Sequence, residues 1–188
     1  MEEARRILRA GMAHGLRPKL HADQLSASGG SELAAEVGAT SADHLEYITS
    51  TGIAALRRSG TVAVSLPLAS LYLRQPPLPA RALMDAGVPV AVATDFNPGS
   101  APSFHLPLAL TLACTMQRMT PAEALKGATI IAARAIGAET ECGSLEPGKA
   151  ADFAVMDAPD VNHWLYHLRP NACRRTVCAG VTIHEAAA

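Results

Sequence analysis

What this chain has little of narrows it first. It contains no run of 18 apolar residues, so no membrane-spanning helix is expected. Charge of either sign is scarce: charged residues make up 18% of the chain, and 16 Lys and Arg against 17 Asp and Glu leave a net charge of −1. That balance gives no basic field for gripping nucleic acid or an anionic membrane, and neither is expected as a partner. Cysteine occurs four times, at Cys114, Cys142, Cys173 and Cys178, never in C-x-x-C spacing. A zinc knuckle is thereby excluded, and a secreted disulfide scaffold would be richer in the residue. Reduced thiols in a cytoplasmic protein are the expectation. The opening "MEEARRILRAG" patterns as an amphipathic helix, with charges where a signal peptide carries its apolar centre. Internal repeats are lacking too, and low complexity is confined to the terminal "AAA".

What is present is a core-forming composition. Apolar residues reach 49% of 188, enough for one domain or one domain with an appendage. Short apolar runs alternate with helical patterns over the first two-thirds. "RPKLH" (17–21), "TSADHLEY" (40–47), "TVAVSLP" (61–67) and "VPVAVATD" (88–95) are strand candidates. Helical patterns lie between them: "SELAAEVGA" from Ser31, "TSTGIAALRRSG" closing on Gly60, and "PARALMDAG" (79–87). Two further helices are expected at about 105–117 and 120–137, the second opened by Thr120, Pro121 and Glu123 as a capping box. Strands that are apolar on both faces and separated by single helices call for a parallel sheet covered by helices. The expected class is therefore α/β, with four βα units. After Gly137 the pattern changes: "GSLEPGKAADFAVMDAP" and "CRRTVCAGVTIHE" read as short strands, the latter a hairpin about Ala179-Gly180. The predicted division is 1–138 for the βα part and 139–188 for a small β unit, with Trp164 and Tyr166 as packing for that unit.

His21, His44 and Asp95 each stand at or just past the C-terminal end of a predicted strand, which is where a βα barrel builds its active site. Taken singly they are ordinary. A histidine at a strand end is commonly structural, and an Asp before "FNPG" commonly caps the turn. Taken together, two imidazoles and a carboxylate on one rim suit zinc or iron, which makes water a nucleophile near neutral pH. A carboxylate touching both metal and water can shuttle the proton. In the loop after Asp95, Pro98 fixes one φ and Gly99 accepts angles that other residues avoid. Asn97 and the amides near Gly99 and Ser100 are then candidates for holding a polar or anionic substrate, or form a plain tight turn. Gln24, three residues after His21, can donate and accept at once, as a ring with N–H and C=O requires. Tyr72 and Arg74 are weaker candidates and better placed in solvent. His105, His163, His167 and His184 read as structural or exposed.

With these residues in view, "KLHADQLSASGGSELAAEVGATSADHLEY", "GTVAVSLP", "GVPVAVATDFNPGSAP" and "GSLEPGKAADFAVMD" resemble the imidazolonepropionase family of the amidohydrolase superfamily, in order and over nearly the whole chain. The resemblance implies the C-terminal half of a metal-dependent (β/α)8 TIM barrel, strands 5 to 8, with part of a small composite β-sandwich. It implies one zinc or iron ion, a small-molecule substrate, a homodimer in the full-length family, and ring-opening of 4-imidazolone-5-propanoate to N-formimidoyl-L-glutamate in histidine degradation. By motif, His21 falls on the strand-5 metal ligand, and Asp95 on the strand-8 aspartate that binds metal and helps deprotonate the water. His44 falls on the strand-6 histidine, a partner for the water or for the developing oxyanion. Gln24 matches a substrate-contacting position where some members carry Glu, and Asn97, Gly99 and Ser100 match the loop holding the propanoate or product end. The family's first-strand H-x-H pair is not in these 188 residues. The expectation is thus a fragment or truncated product that binds metal weakly and does not turn over alone. An amino-heterocycle deaminase is the rival enzyme, and a non-catalytic truncated domain the rival without chemistry. Deaminases of this superfamily often place a titrating Glu where this chain has Gln24.

Overall fold

The computed structural model describes residues 1–187. Helix α1 (Glu2–Ala13) leads into β1 (Lys19–Ala22), α2 (Gly30–Glu36), β2 (Ser41–His44), α3 (Ser50–Ser59) and β3 (Val62–Ser65). Two short helices, α4 (Pro67–Tyr72) and α5 (Ala80–Asp85), precede β4 (Val90–Val92). Helices α6 (Leu106–Gln117), α7 (Pro121–Ala128) and α8 (Ile130–Ala135) follow, and then β5 (Phe153–Met156), α9 (Val161–Tyr166), β6 (Cys173–Cys178) and β7 (Val181–Glu185).

Strands β1 to β4 form one parallel sheet in chain order. Each crossover carries helix, so each strand returns beside its predecessor with a helical layer on its outer face. β3 and β4 are buried at every position, as unbroken apolar runs should be in a covered parallel sheet. β1 is different. Leu20 and Ala22 are buried, while Lys19 and His21 are exposed on the open face of this edge strand. The parallel strand order with helical crossovers is consistent with part of a βα barrel. Leu45, Leu56, Leu78, Leu83 and Leu110 are fully buried at the centre of the core, each contributing roughly 2 kcal/mol by removal from water.

Local chemistry sets several boundaries. Gly60 closes α3 in the left-handed region as expected, and Thr49 caps its start by accepting from the Gly52 amide at 3.0 Å. The capping box of Thr120 and Glu123 starts α7. Three features depart from the sequence pattern. The strand expected over 61–67 ends at Ser65, and Pro67, at a first helical position, opens α4. Asp160 accepts from the His163 amide at 2.8 Å and starts α9. The helix expected over 120–137 breaks at Thr129, whose φ and ψ are −119° and −101°. Gly143 packs there so closely that a Cβ would lie 3.0 Å from the Thr129 carbonyl. Alanine-rich periodicity runs through this point without showing the contact.

The second sheet is antiparallel, in the order β5-β6-β7. Its hairpin turns on Ala179 and Gly180, both at positive φ, as a tight hairpin requires. Every residue of β7 is exposed. Trp164 does not pack on this unit as the sequence suggested. Helix α9 lies against the main core, with Trp164 beside it and Leu165 buried, and Tyr166 is 81% exposed. The Thr111 hydroxyl donates to the Leu165 carbonyl at 2.8 Å, which ties α9 to α6. Among the described residues no helix is long and apolar enough to cross a membrane.

Candidate active site at the rim of the parallel sheet

Parallel strands end on one side, so residues at their C-terminal ends share a rim. The His44 ring lies 4.2 Å from that of His21, centroid to centroid, and His44 Nε2 is 3.9 Å from Asp95 Oδ2. Three groups from three strands therefore meet. A strictly alternating sheet would not do this, because His21 is in register with Asp43 while His44 is aligned with Ala22. His44 has φ +81° and Leu45 +66°, and this left-handed pair re-aims the imidazole. Asp23 (+48°) and Asp95 (+54°) are also left-handed, so three of the four strand ends depart from ordinary backbone. Each such residue costs about 1 kcal/mol or more and persists only where the surroundings enforce it. Here the Leu45 amide donates to the Ala22 carbonyl at 3.0 Å, and the Tyr47 amide to that of Asp23 at 2.9 Å.

The Asp95 carboxylate does not cap its own turn. Asn97 does so: its Oδ1 accepts from the Gly99 and Ser100 amides, both at 2.8 Å. Its Nδ2 donates to the Asp95 carbonyl at 2.7 Å and to Ser100 Oγ at 3.0 Å, with Asp95 Oδ2 at 3.4 Å. The rigid loop thus leaves the carboxylate facing His44. Its Gly99 and Ser100 amides are already engaged by Asn97, so their first role is to hold that side chain still.

Gln24 is half-buried on the loop after β1. That loop is organised by Asp23, which sequence reasoning did not single out. Asp23 accepts from the Ser28, Gly30 and Ser31 amides and from the Ser28 and Ser31 hydroxyls, at 2.7–3.0 Å. Burial alone would raise its carboxyl, but the bonds from Ser31, Gly30 and Ser28 outweigh burial and hold it below its ordinary value. Gly30 is required here, since a Cβ would lie 2.8 Å from that of Ala22.

Glu46 is the second missed residue. Its side chain is 1% exposed, with Oε1 accepting from Ser70 Oγ at 2.7 Å and lying 3.7 Å from His44 Nδ1. Neither Glu46 Oε2 nor His44 Nδ1 has a hydrogen-bond partner. The available signal was an acid two residues after a candidate histidine in "DHLE". Tyr72 and Arg74 are exposed and stay out of the site. His105 is structural: its Nδ1 accepts from the Leu108 amide at 2.9 Å, and its Nε2 lies 2.8 Å from the Pro170 carbonyl. The cavity of about 340 Å³ between α6 and α9, lined in part by His105, Thr111 and Trp164, holds none of the rim groups.

Imidazole and carboxylate donors at His21 and Asp95 fit zinc or iron as part of a coordination shell. Among the described residues no group of three or more His, Cys, Asp or Glu is arranged to hold a metal ion.

Residues 5–183 match the profile of the amidohydrolase family. The imidazolonepropionase of Geobacillus thermodenitrificans (strain NG80-2) is 51% identical over 185 residues, covering 98% of this chain and 44% of the relative. That of Shewanella sp. (strain ANA-3) is 46% identical over 186 residues, covering 98% of this chain and 46% of its own length. The chain thus spans a little under half the length of these curated relatives. Among solved structures, an adenosine deaminase from Xanthomonas campestris with bound zinc superposes with a TM-score of 0.82 at 21% identity, covering 95% of this chain and 48% of that one. A 5-methylcytosine deaminase from Klebsiella pneumoniae gives 0.84 at 18% identity, over 100% of this chain and 52% of that one. At such identities the likeness bears on the fold alone.

Proposed function

The chain belongs to the amidohydrolase family, and on that premise we propose that it forms strands 5 to 8 of an imidazolonepropionase barrel. In this reading residues 1–138 are the barrel part, and 139–188 contribute strands to a composite β-sandwich. The reaction is hydrolysis of the cyclic amide of 4-imidazolone-5-propanoate to N-formimidoyl-L-glutamate, a step of histidine degradation in the cytoplasm. The observation that carries it is the meeting of His21, His44 and Asp95 at one rim. The likeness of the chain to imidazolonepropionases at 46–51% identity supports it.

A zinc or iron ion held by His21, Asp95 and donors from outside the described residues would supply Lewis acidity at the attacked carbonyl and its water. The remaining work falls to side chains of this chain. Asp95, freed from its turn by Asn97, takes a proton from the attacking water and returns it to the ring nitrogen as the C–N bond breaks. His44 partners that water or the oxygen that gains charge. Gln24 offers donor and acceptor to the heterocycle, and the loop of Asn97, Gly99 and Ser100 positions the propanoate end.

The test is complementation. The 188-residue chain is assayed for imidazolone loss with added zinc or iron, alone and with the segment of the Geobacillus relative that lies outside its match to this chain supplied in trans. Turnover only in the complemented sample is expected, and Asp95→Ala should lower it by about 10²–10⁴-fold. Release of ammonia from an amino-heterocycle, with no imidazolone opening, would instead assign the site to a deaminase. Gln24 argues against that outcome, since an amide does not titrate.

A further inference from the structure

Helix α9 carries none of the rim residues. Its sequence runs "VNHWLYH" from Val161 to His167, which sets His163 and His167 four positions apart. On a helix, residues so spaced are neighbours on one face. The two imidazoles meet there: their centroids lie 4.2 Å apart and their planes are tilted by 48°. Both residues are exposed, and no described residue engages either ring in a hydrogen bond or ion pair. The backbone beneath them is held in place. Asp160 caps α9 by accepting from the His163 amide at 2.8 Å. Leu165, between the two histidines, is buried, and its carbonyl accepts from the Thr111 hydroxyl. The Tyr166 ring stands edge-on to that of His167 at 5.1 Å. Two nitrogen donors are therefore presented on a fixed scaffold, so little ordering cost remains when a ligand arrives.

We propose that His163 and His167 form a surface site for a divalent transition-metal ion of the cupric class, with water in the remaining positions. Imidazole suits copper, nickel and zinc alike, and histidines at i and i+4 of a helix can share one ion. The separation of the rings selects among these metals. With metal–nitrogen bonds of about 2.0 Å and each nitrogen about 1.15 Å from its ring centre, ligands at 90° place the centroids about 4.5 Å apart, and tetrahedral ligands about 5.1 Å. The observed 4.2 Å lies close to the first arrangement. A small outward rotation of the rings admits a tetragonal ion, whereas tetrahedral zinc needs about 1 Å more. Tetragonal coordination by nitrogen and oxygen is the preference of Cu(II) and Ni(II), and of the two Cu(II) binds such donors more tightly. Two protein donors are the whole of the site, in keeping with the lack of any group of three or more among the described residues. Nothing in it depends on the chemistry proposed at the rim.

The test is made on the 188-residue chain carrying His21→Ala, which removes one of the two imidazoles that meet at the rim. The chain is stripped with a chelator and titrated with Cu²⁺ alone. One equivalent should bind, giving an axial electron paramagnetic resonance spectrum split by two imidazole nitrogens. His163→Ala or His167→Ala should weaken binding by about 10²-fold or more, because two linked donors become one. Both positions are exposed, so the urea midpoint should stay unchanged, and His167→Gln replaces the alanine variant if it moves. Restoring the histidine count at the wrong spacing, by Asn162→His together with His163→Ala, should not recover the affinity. Absence of binding, binding indifferent to these substitutions, a spectrum with one nitrogen or without axial form, or recovery by the misplaced histidine overturns the proposal.

Discussion

Strands β3 and β4 are buried at every position, whereas β7 is exposed at every position. Both sheets are rich in apolar residues, so composition does not explain the difference. Connection does. A parallel strand can be reached only by a crossover, and here each crossover brings helix to the sheet's outer face. The β6–β7 hairpin turns on two residues and brings nothing, and α9, between β5 and β6, packs on the main core instead. Phe153, Val155, Val181 and Ile183 stay exposed on β5 and β7 because no described element lies over them. The first sheet contains its own solvent barrier on the helical side. The second needs a partner layer, and an uncovered apolar sheet is a site for association.

This contrast can be broken in order of expected effect. Leu56→Ala, in the fully buried position on α3, should cost about 2–5 kcal/mol in a urea unfolding curve, through lost transfer energy and a cavity. Asp23→Ala should cost about 1–3 kcal/mol, because it strands the Gly30 and Ser31 amides at a buried helix start. The Asp23 carboxyl is held below its ordinary value, so its contribution is present above the unfolded-state pKa of an Asp and lost as pH falls below it. The difference between this variant and the parent should shrink in acid. A smaller effect is expected at Glu123. The Arg81 guanidinium, 2.6 Å away, holds the Glu123 carboxyl at about 2 against an ordinary 4.5. The stability from that pair is complete above about 4.5 and fades as pH falls toward 2. The Tm gap between parent and Arg81→Ala should therefore be open at pH 7 and narrow in that window. Smallest of all, Ile183→Ser on the bare sheet should move stability by less than about 0.5 kcal/mol, yet reduce self-association in sedimentation. A loss comparable with Leu56→Ala would mean that β7 is covered in solution.

Much of the candidate site's placement was legible in the amino-acid order. His21, His44 and Asp95 sit where apolar runs stop, and a strand's end is a local property. The caps at Gly60 and Thr120 were legible for the same reason, since each is settled within a few residues. Glu46 and Asp23 were not, because their importance lies in partners at Ser70 on α4 and at Ser28 to Ser31 before and within α2. At the break, Thr129 packs closely against Gly143, and α9, which carries Trp164, is tied to α6 through Thr111 and Leu165, both contacts between segments apart in the chain.

The amino-acid order by itself determined the alternation of strand and helix, the parallel sheet that follows from it, and the rim on which the candidate residues stand. These rest on side-chain periodicity and capping, which act over one element at a time. Only the tertiary structure decided that the His44 ring would reach both His21 and Asp95, that Asn97 would take the turn amides and free a carboxylate, and that one apolar sheet would stay bare. Left-handed backbone at residues other than glycine is unfavourable on its own. It is maintained here by hydrogen bonds between neighbouring strands, which exist only after the chain has folded.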